Sequence, residues 1–420
     1  MQIRKLQLVF ISLPALLLSI MCSAQRNEIY NDRIASLQVT TDNNWLVPPV
    51  IKLNELGKAH INIAFDDMTH EYHRYTYTIE HCDADWTPSK ELFTSDYIEG
   101  FNKDNTIDNV AQSINTSHLY THYSLSIPNE RCTIKMSGNY RLTVYDDNND
   151  EEPILCACFW VVEPTASVAL DVSSNTDIDI NHAHQQVSIH LKYGSLNVTD
   201  PQSQIKTVIL QNARWDNAVI NAKPQYITTN GLRWSHNKDL IFPAGNEYHK
   251  FEILDVDHPT MGIESVSWDG NNYHAYVWTD EPRLNYVYDE DANGAFCIRN
   301  SNNTENNTTS DYVTVHFRLK TPQQDGDIYL NGVWTNDCFL PQYKMHYNDT
   351  QNCYEGTVRL KQGYYSYQYL LMKADHTLTP VPTEGCFYQT ENHYQALVYF
   401  RGIGERTDRL IAYSTISYGK

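Results

Sequence analysis

Val313, Val315, Phe317 and Leu319 alternate with Thr314, His316 and Arg318, and the same period of two recurs along most of the chain. Residues two apart share one face of a strand, so such a run buries one face and wets the other. Tyr75, Tyr77 and Ile79 repeat the pattern against Thr76, Thr78 and Glu80, as do Ile61, Ile63 and Phe65 against Asn62 and Ala64. No amphipathic helix longer than a turn or two is evident. Thirty tyrosines against seventeen glycines add to the preference for strands. The class is therefore all-β, expected as immunoglobulin-like β-sandwich domains in tandem.

A chain of 420 residues is too long for one sandwich. Arg4 and Lys5 precede an apolar run over residues 6–21, and Cys22, Ser23 and Ala24 offer small residues for cleavage before Gln25. Residues 1–24 thus read as a secretory signal peptide. The bulky Met21 argues against lipid attachment at Cys22. A first sandwich is expected over residues 25–164, closed by a hairpin through Tyr140, Leu142, Val144 and the strand 154–162, and bounded by Glu163-Pro164. A second is expected over 165–300, with strands at 187–191, 205–211, 225–229, 248–254, 273–279 and 284–288. Residues 301–310, SNNTENNTTS, have no apolar side chain and read as a polar linker or loop. A third sandwich is expected over 311–420, closed by strands at 398–401 and 410–414. The uneven strand spacing argues against an outer-membrane barrel.

Loss of the leader removes two bases and no acid, taking the net charge from −20 to −22. Such a surface argues against nucleic acid and anionic lipid, and suits a basic or neutral partner. Eight cysteines follow Cys22 without CxxC or zinc-like spacing. In an exported chain they allow disulfides, such as Cys338 with Cys353 or Cys386, or stand as buried thiols.

Catalytic patterns are weak. His70 and His73 are three apart on the way into a strand, not four apart on a helix. Asp289, Glu290, Asp291 and Asn293 begin like a calcium loop, but Asn300 stands where a bidentate Glu is required, so a hairpin turn at Asn293-Gly294 is simpler. There is no nucleophile elbow, P-loop or dinucleotide fingerprint. No metal, cofactor, catalytic residue or small-molecule substrate is expected. Trp334 is the one lead for stacking on a sugar ring, and carries the alternative reading of a secreted carbohydrate-binding or carbohydrate-active sandwich.

The densest stretch is 75–101, YTYTIEHCDADWTPSKELFTSDYIEGF. It leaves a strand at His81, passes Asp83, Asp85 and Trp86 before Pro88, and ends in Tyr97 and Phe101. These six are expected to form a recognition loop that presents apolar area and carboxylates to a partner.

The runs 77–86, 97–102, 121–130 and 137–140 together resemble the type IX secretion system plug protein family of Bacteroidetes, formerly a domain of unknown function. Residues 355–357, 361–365, 395–399 and 406–411 extend the likeness nearly to the C-terminus. The third domain is also similar to early-set, glycogen-binding-like sandwiches through Gly332, Trp334 and Gly363. The resemblance implies a non-enzymatic periplasmic protein, attached to the outer membrane through protein contacts. Its implied partner is a large secretion barrel, whose periplasmic end it closes.

Overall fold

The computed structural model describes residues 27–147 and 152–419. The leader and Cys22 lie outside the described residues, as does most of the turn expected at 146–152. All described helices are single turns, and the strands form tandem β-sandwiches. Among the described residues no helix is long and apolar enough to cross a membrane.

In the first sandwich one sheet runs through Glu152–Val162, Gly138–Asp146 and Tyr75–Cys82, all antiparallel. It faces a second sheet of Ile34–Thr41, Ile61–Asp67, Thr121–Ile127 and Asn109–Gln112. Tyr75, Tyr77, Ile79, Ile61, Ile63 and Phe65 meet in the core between them, each at most 1 % exposed. The alternation read from the sequence thus reports this core directly.

The second sandwich packs Ser167–Ser173, His184–Lys192 and Gly231–Trp234 against Ile205–Gln211, Asn392–Phe400 and Arg409–Tyr418. Ile205 to Gln211 pair with Phe400 to Tyr394, so the last two strands complete the second sandwich, not the third. The third occupies the chain between Ile241–Pro243 and Asn392–Phe400. Its sheets are built on Gly363–Met372, with His249–Ile253, Phe296–Ile298 and Asp327–Asn331, and on Tyr312–Leu319, with Tyr273–Val277, Ile263–Trp268 and Cys353–Lys361.

The sheets therefore divide the chain differently from the expected cuts at 165–300 and 311–420. The strands expected at 398–401 and 410–414 form and pair with each other, but the sheet they join is that of Ile205–Gln211, about two hundred residues earlier in the chain. Residues 301–310 form a loop, exposed over most of its length, that does not separate two domains, since Thr308 and Ser310 are buried between the first and third sandwiches. Residues 284–288 form no strand. Leu284 and Val287 are largely exposed there, while Arg283 and Tyr286 turn inward to the Glu247 backbone and carboxylate. All eight described cysteines are free thiols.

Strands buried on both faces join the first and second sandwiches. Along Glu152–Val162, Leu155, Ala157, Phe159 and Val161 enter the first core, while Cys156, Cys158, Trp160 and Val162 enter a separate apolar cluster. Asn392–Phe400 does the same: Tyr394, Ala396 and Val398 face the second core, and Leu397 and Tyr399 face that shared cluster. A sheet face covered in this way has no solvent side left to be polar, which is why ILCACFWVV reads as a continuous apolar run.

Candidate functional site: the expected recognition loop and the joints between sandwiches

The loop that leaves Tyr75–Cys82 is tightened by its own backbone. Trp86 N–H donates to the Asp83 carbonyl and Asp83 N–H to that of Thr87, with Trp86 in the left-handed region at φ 66°. The turn swings the Trp86 indole inward, where it is fully buried edge-on to Trp160 and Trp215, at 5.5 and 6.1 Å between centroids. Edge-to-face packing of Trp86 on the parallel pair Trp160 and Trp215 adds to the area they bury.

Asp83 is the polar centre of the same joint. Its Oδ1 accepts from Ser89 Oγ (2.9 Å) and Thr407 Oγ1 (2.6 Å), and its Oδ2 pairs with Arg401 at 2.6 Å. Burial raises the cost of its charge, but the hydrogen bonds from Thr407, Arg401 and Ser89 outweigh that and hold the carboxyl below its ordinary range. Asp408, itself 1 % exposed, extends the network: it accepts from Ala84 N–H (3.0 Å) and pairs with Lys206 (2.8 Å) and Arg401 (2.9 Å). Carboxylates of both sandwiches are thus neutralised by bases of the second. Asp408 is buried and Asp83 partly so, while Arg401 and Lys206 reach solvent, so the less accessible charges are the ones matched.

His81 is 2 % exposed and its Nε2 donates to the Ser137 carbonyl at 3.1 Å. A Cβ at Gly138 would come within 2.2 Å of that nitrogen, so the close approach requires glycine, which also adopts φ +149° there. Burial pushes the His81 imidazole below its ordinary value. Ser89 Oγ lies 2.9 Å from both His81 Nδ1 and Asp83 Oδ1. The hydroxyl thus lies between imidazole and carboxylate, whereas a hydrolytic triad needs the carboxylate behind the imidazole.

The six expected recognition residues therefore separate. His81, Trp86 and Tyr97 are buried, the last 8 % exposed against His81 and Tyr140. Asp83 is spent on the joint. Only Asp85 and Phe101 remain exposed, Asp85 accepting from Thr87 N–H and Oγ1 in a local turn. The reading is corrected accordingly: the surface this loop meets is the chain's own second sandwich. The signal missed in the sequence is the doubly buried strand 154–162, which announces a covering element.

Trp334 is corrected too. It is 7 % exposed, parallel to Phe317, and its Nε1 donates to the Ser366 carbonyl at 3.1 Å, so no sugar ring can stack on it. His70 and His73 turn to different partners, the Tyr120 carbonyl and Asp67. Asp291 caps a turn, accepting from the Asn293 and Tyr248 N–H groups, and burial pushes its carboxyl up to about 7. Near it a cavity of about 280 Å³ opens where the three sandwiches meet, lined by Trp45, Pro48, Asn212, Phe296 and Val333. That is just below the usual range for a ligand pocket, about 300–1,000 Å³.

A second joint fastens the first sandwich to the third. Lys361 and Asp66 form a buried pair at 2.5 Å; His122 Nδ1 and Tyr312 OH lie 2.7 Å from the same carboxylate, and the Lys361 ammonium stands 4.1 Å from the Tyr120 ring centroid. Asp311 accepts from Ser117 N–H and Oγ, and Tyr120 OH donates to the Ser310 carbonyl.

A family model described as "Type 9 secretion system plug protein 1st domain" matches residues 34–163, the span of the first sandwich. This chain belongs to the type IX secretion plug family. A solved structure, a hypothetical protein from Parabacteroides merdae, is 39 % identical and superposes with a TM-score of 0.90 over 94 % of this chain and 99 % of its own. The similarity therefore spans all three sandwiches of the plug-family chain. Collagen adhesin from S. aureus aligns at 9 % identity over 91 % of this chain and 93 % of its own, with a TM-score of 0.10, so the two folds do not superpose. No curated protein matches. The plug family is a non-catalytic structural one. Membership links the chain to a component of the secretion system, with a periplasmic or outer-membrane association.

Proposed function

We propose that this chain is a non-enzymatic plug subunit that closes the periplasmic end of the type IX secretion outer-membrane barrel. On this reading it reaches the periplasm after cleavage of residues 1–24 and holds to the outer membrane through protein contacts. The observation that carries the proposal is the pair of charged joints, Asp66 to Lys361 and Asp83 to Arg401, which bind the family's first domain to the rest of the chain. A body that stops a wide pore must resist deformation, and sandwiches in series without such joints would flex at their linkers. The acidic surface, with net charge −20 for the full sequence, keeps the contact area polar and releasable. The test is purification of the large barrel from detergent-solubilised outer membrane. The chain is expected to copurify, and its absence from that complex would sink the proposal.

A further inference from the structure

On the outer face of the third sandwich, two histidines stand on neighbouring strands. His274 lies on Tyr273–Val277 and His316 on Tyr312–Leu319, which pair in parallel. Nδ1 of His274 is 2.9 Å from Nε2 of His316. The far nitrogen of each ring is also engaged. His274 Nε2 is 3.0 Å from the Asp269 carboxylate, and His316 Nδ1 is 3.2 Å from Thr357 Oγ1 on Cys353–Lys361. Tyr276 stacks on the His316 ring with centroids 4.5 Å apart and planes 10° from parallel, which fixes that ring's orientation. An ionised carboxylate only accepts, so His274 Nε2 carries the hydrogen in its contact with Asp269. Nδ1 of the neutral ring is then a lone pair aimed at His316.

We propose that His274 Nδ1 and His316 Nε2 form a two-histidine site for a divalent transition-metal ion of the nickel, copper and zinc group, with the remaining positions filled by water. Imidazole nitrogen suits these ions, and a carboxylate behind the ligating ring is the usual outer partner. An ion about 2.0–2.1 Å from each nitrogen would subtend roughly 90° at the present spacing. At that bond length the tetrahedral angle needs the pair to open by about 0.4 Å and each ring, now head-on with centroids 5.2 Å apart, to turn its lone pair off the shared axis. The sheet holds the two backbones, so only side-chain torsions change. The Thr357 hydroxyl turns to accept from His316 Nδ1–H, so the ring hydrogen moves from Nε2 to Nδ1 and no proton is released. Arg318, the next outward residue on the His316 strand, is paired with Glu264 at 2.8 Å. Among the described residues no three or more His, Cys, Asp or Glu side chains gather around a metal-sized position, so the protein supplies two ligands and leaves the ion open to exchange.

Isothermal titration of the purified untagged chain with ZnCl2, and separately with NiCl2, tests the site. Wild type is expected to bind one equivalent whose affinity falls at least tenfold in His274→Gln and in His316→Gln, with melting curves unchanged. Asp269→Asn keeps both ligands and removes the outer partner, which is expected to weaken the same equivalent by about 10–100-fold. With Cu2+, the paramagnetic resonance spectrum is expected to show two coupled imidazole nitrogens in wild type and one in either single variant. Equal stoichiometry and affinity in wild type and His316→Gln would overturn the proposal, as would a Cu2+ spectrum that neither substitution alters.

Discussion

Lys361 of the third sandwich places its ammonium 2.5 Å from the carboxylate of Asp66 in the first, with both side chains at most 2 % exposed. Burial opposes the charge on Asp66, but Lys361 and the hydrogen bond from His122 hold its carboxyl below the ordinary range. Breaking one side of such a pair leaves an unmatched charge in a dry joint. Lys361→Met is therefore expected to cost about 3–5 kcal/mol in urea unfolding followed by tryptophan fluorescence, and Lys361→Met with Asp66→Asn to recover part of it. The depressed Asp66 value adds a pH arm: its contribution is present above the ordinary carboxylate range and is lost as pH falls through the folded value.

His249 carries the opposite pH dependence. Its two nitrogens lie 2.9 Å from Asp280 and 2.6 Å from Glu384, so both donate and the ring is an imidazolium. Burial alone would lower its pKa; the two carboxylates override that and raise it to about 9. The raised value gives stability that is complete below the ordinary histidine range, near pH 6.5, and is lost as pH rises through about 9. Melting temperatures of wild type and His249→Gln are expected to differ most at pH 6 and to converge by pH 10.

Within the loop at 81–86, neighbouring carboxylates are predicted to behave differently. Asp83→Asn removes the anion that Thr407, Ser89 and Arg401 address, at about 1–3 kcal/mol. Asp85→Asn touches only an exposed turn and is expected to stay within about 0.5 kcal/mol. Trp86→Ala opens the shared cluster and is expected to cost about 3–5 kcal/mol, with loss of near-ultraviolet dichroism from the tryptophan cluster. Equal denaturation midpoints for the two Asn variants would refute the assignment of Asp83 to the joint.

Trp334→Ala separates a core role from a glycan role. The indole packs inside the third sandwich, so truncation is expected to lower stability by about 3–5 kcal/mol while retention on polysaccharide columns stays at the wild-type level.

Strand positions and their buried faces were legible because alternation is local: Tyr75, Tyr77 and Ile79 face the core wherever the neighbouring strands come from. The likeness to the plug family was legible too, and the runs that carry it come together at the two joints: 81–86 bonds directly to 406–411, and His122 and Lys361 of the runs 121–123 and 361–365 share the Asp66 carboxylate. What the sequence by itself determined is thus an all-β chain whose strands alternate toward buried cores. Tertiary structure alone decided that Asn392–Phe400 pairs with Ile205–Gln211, that Thr308 and Ser310 enter a joint, and that Trp86 faces inward. Strand pairing and docking are settled between residues hundreds apart, by which apolar faces can cover one another and which bases can reach a buried carboxylate. No local period records that choice.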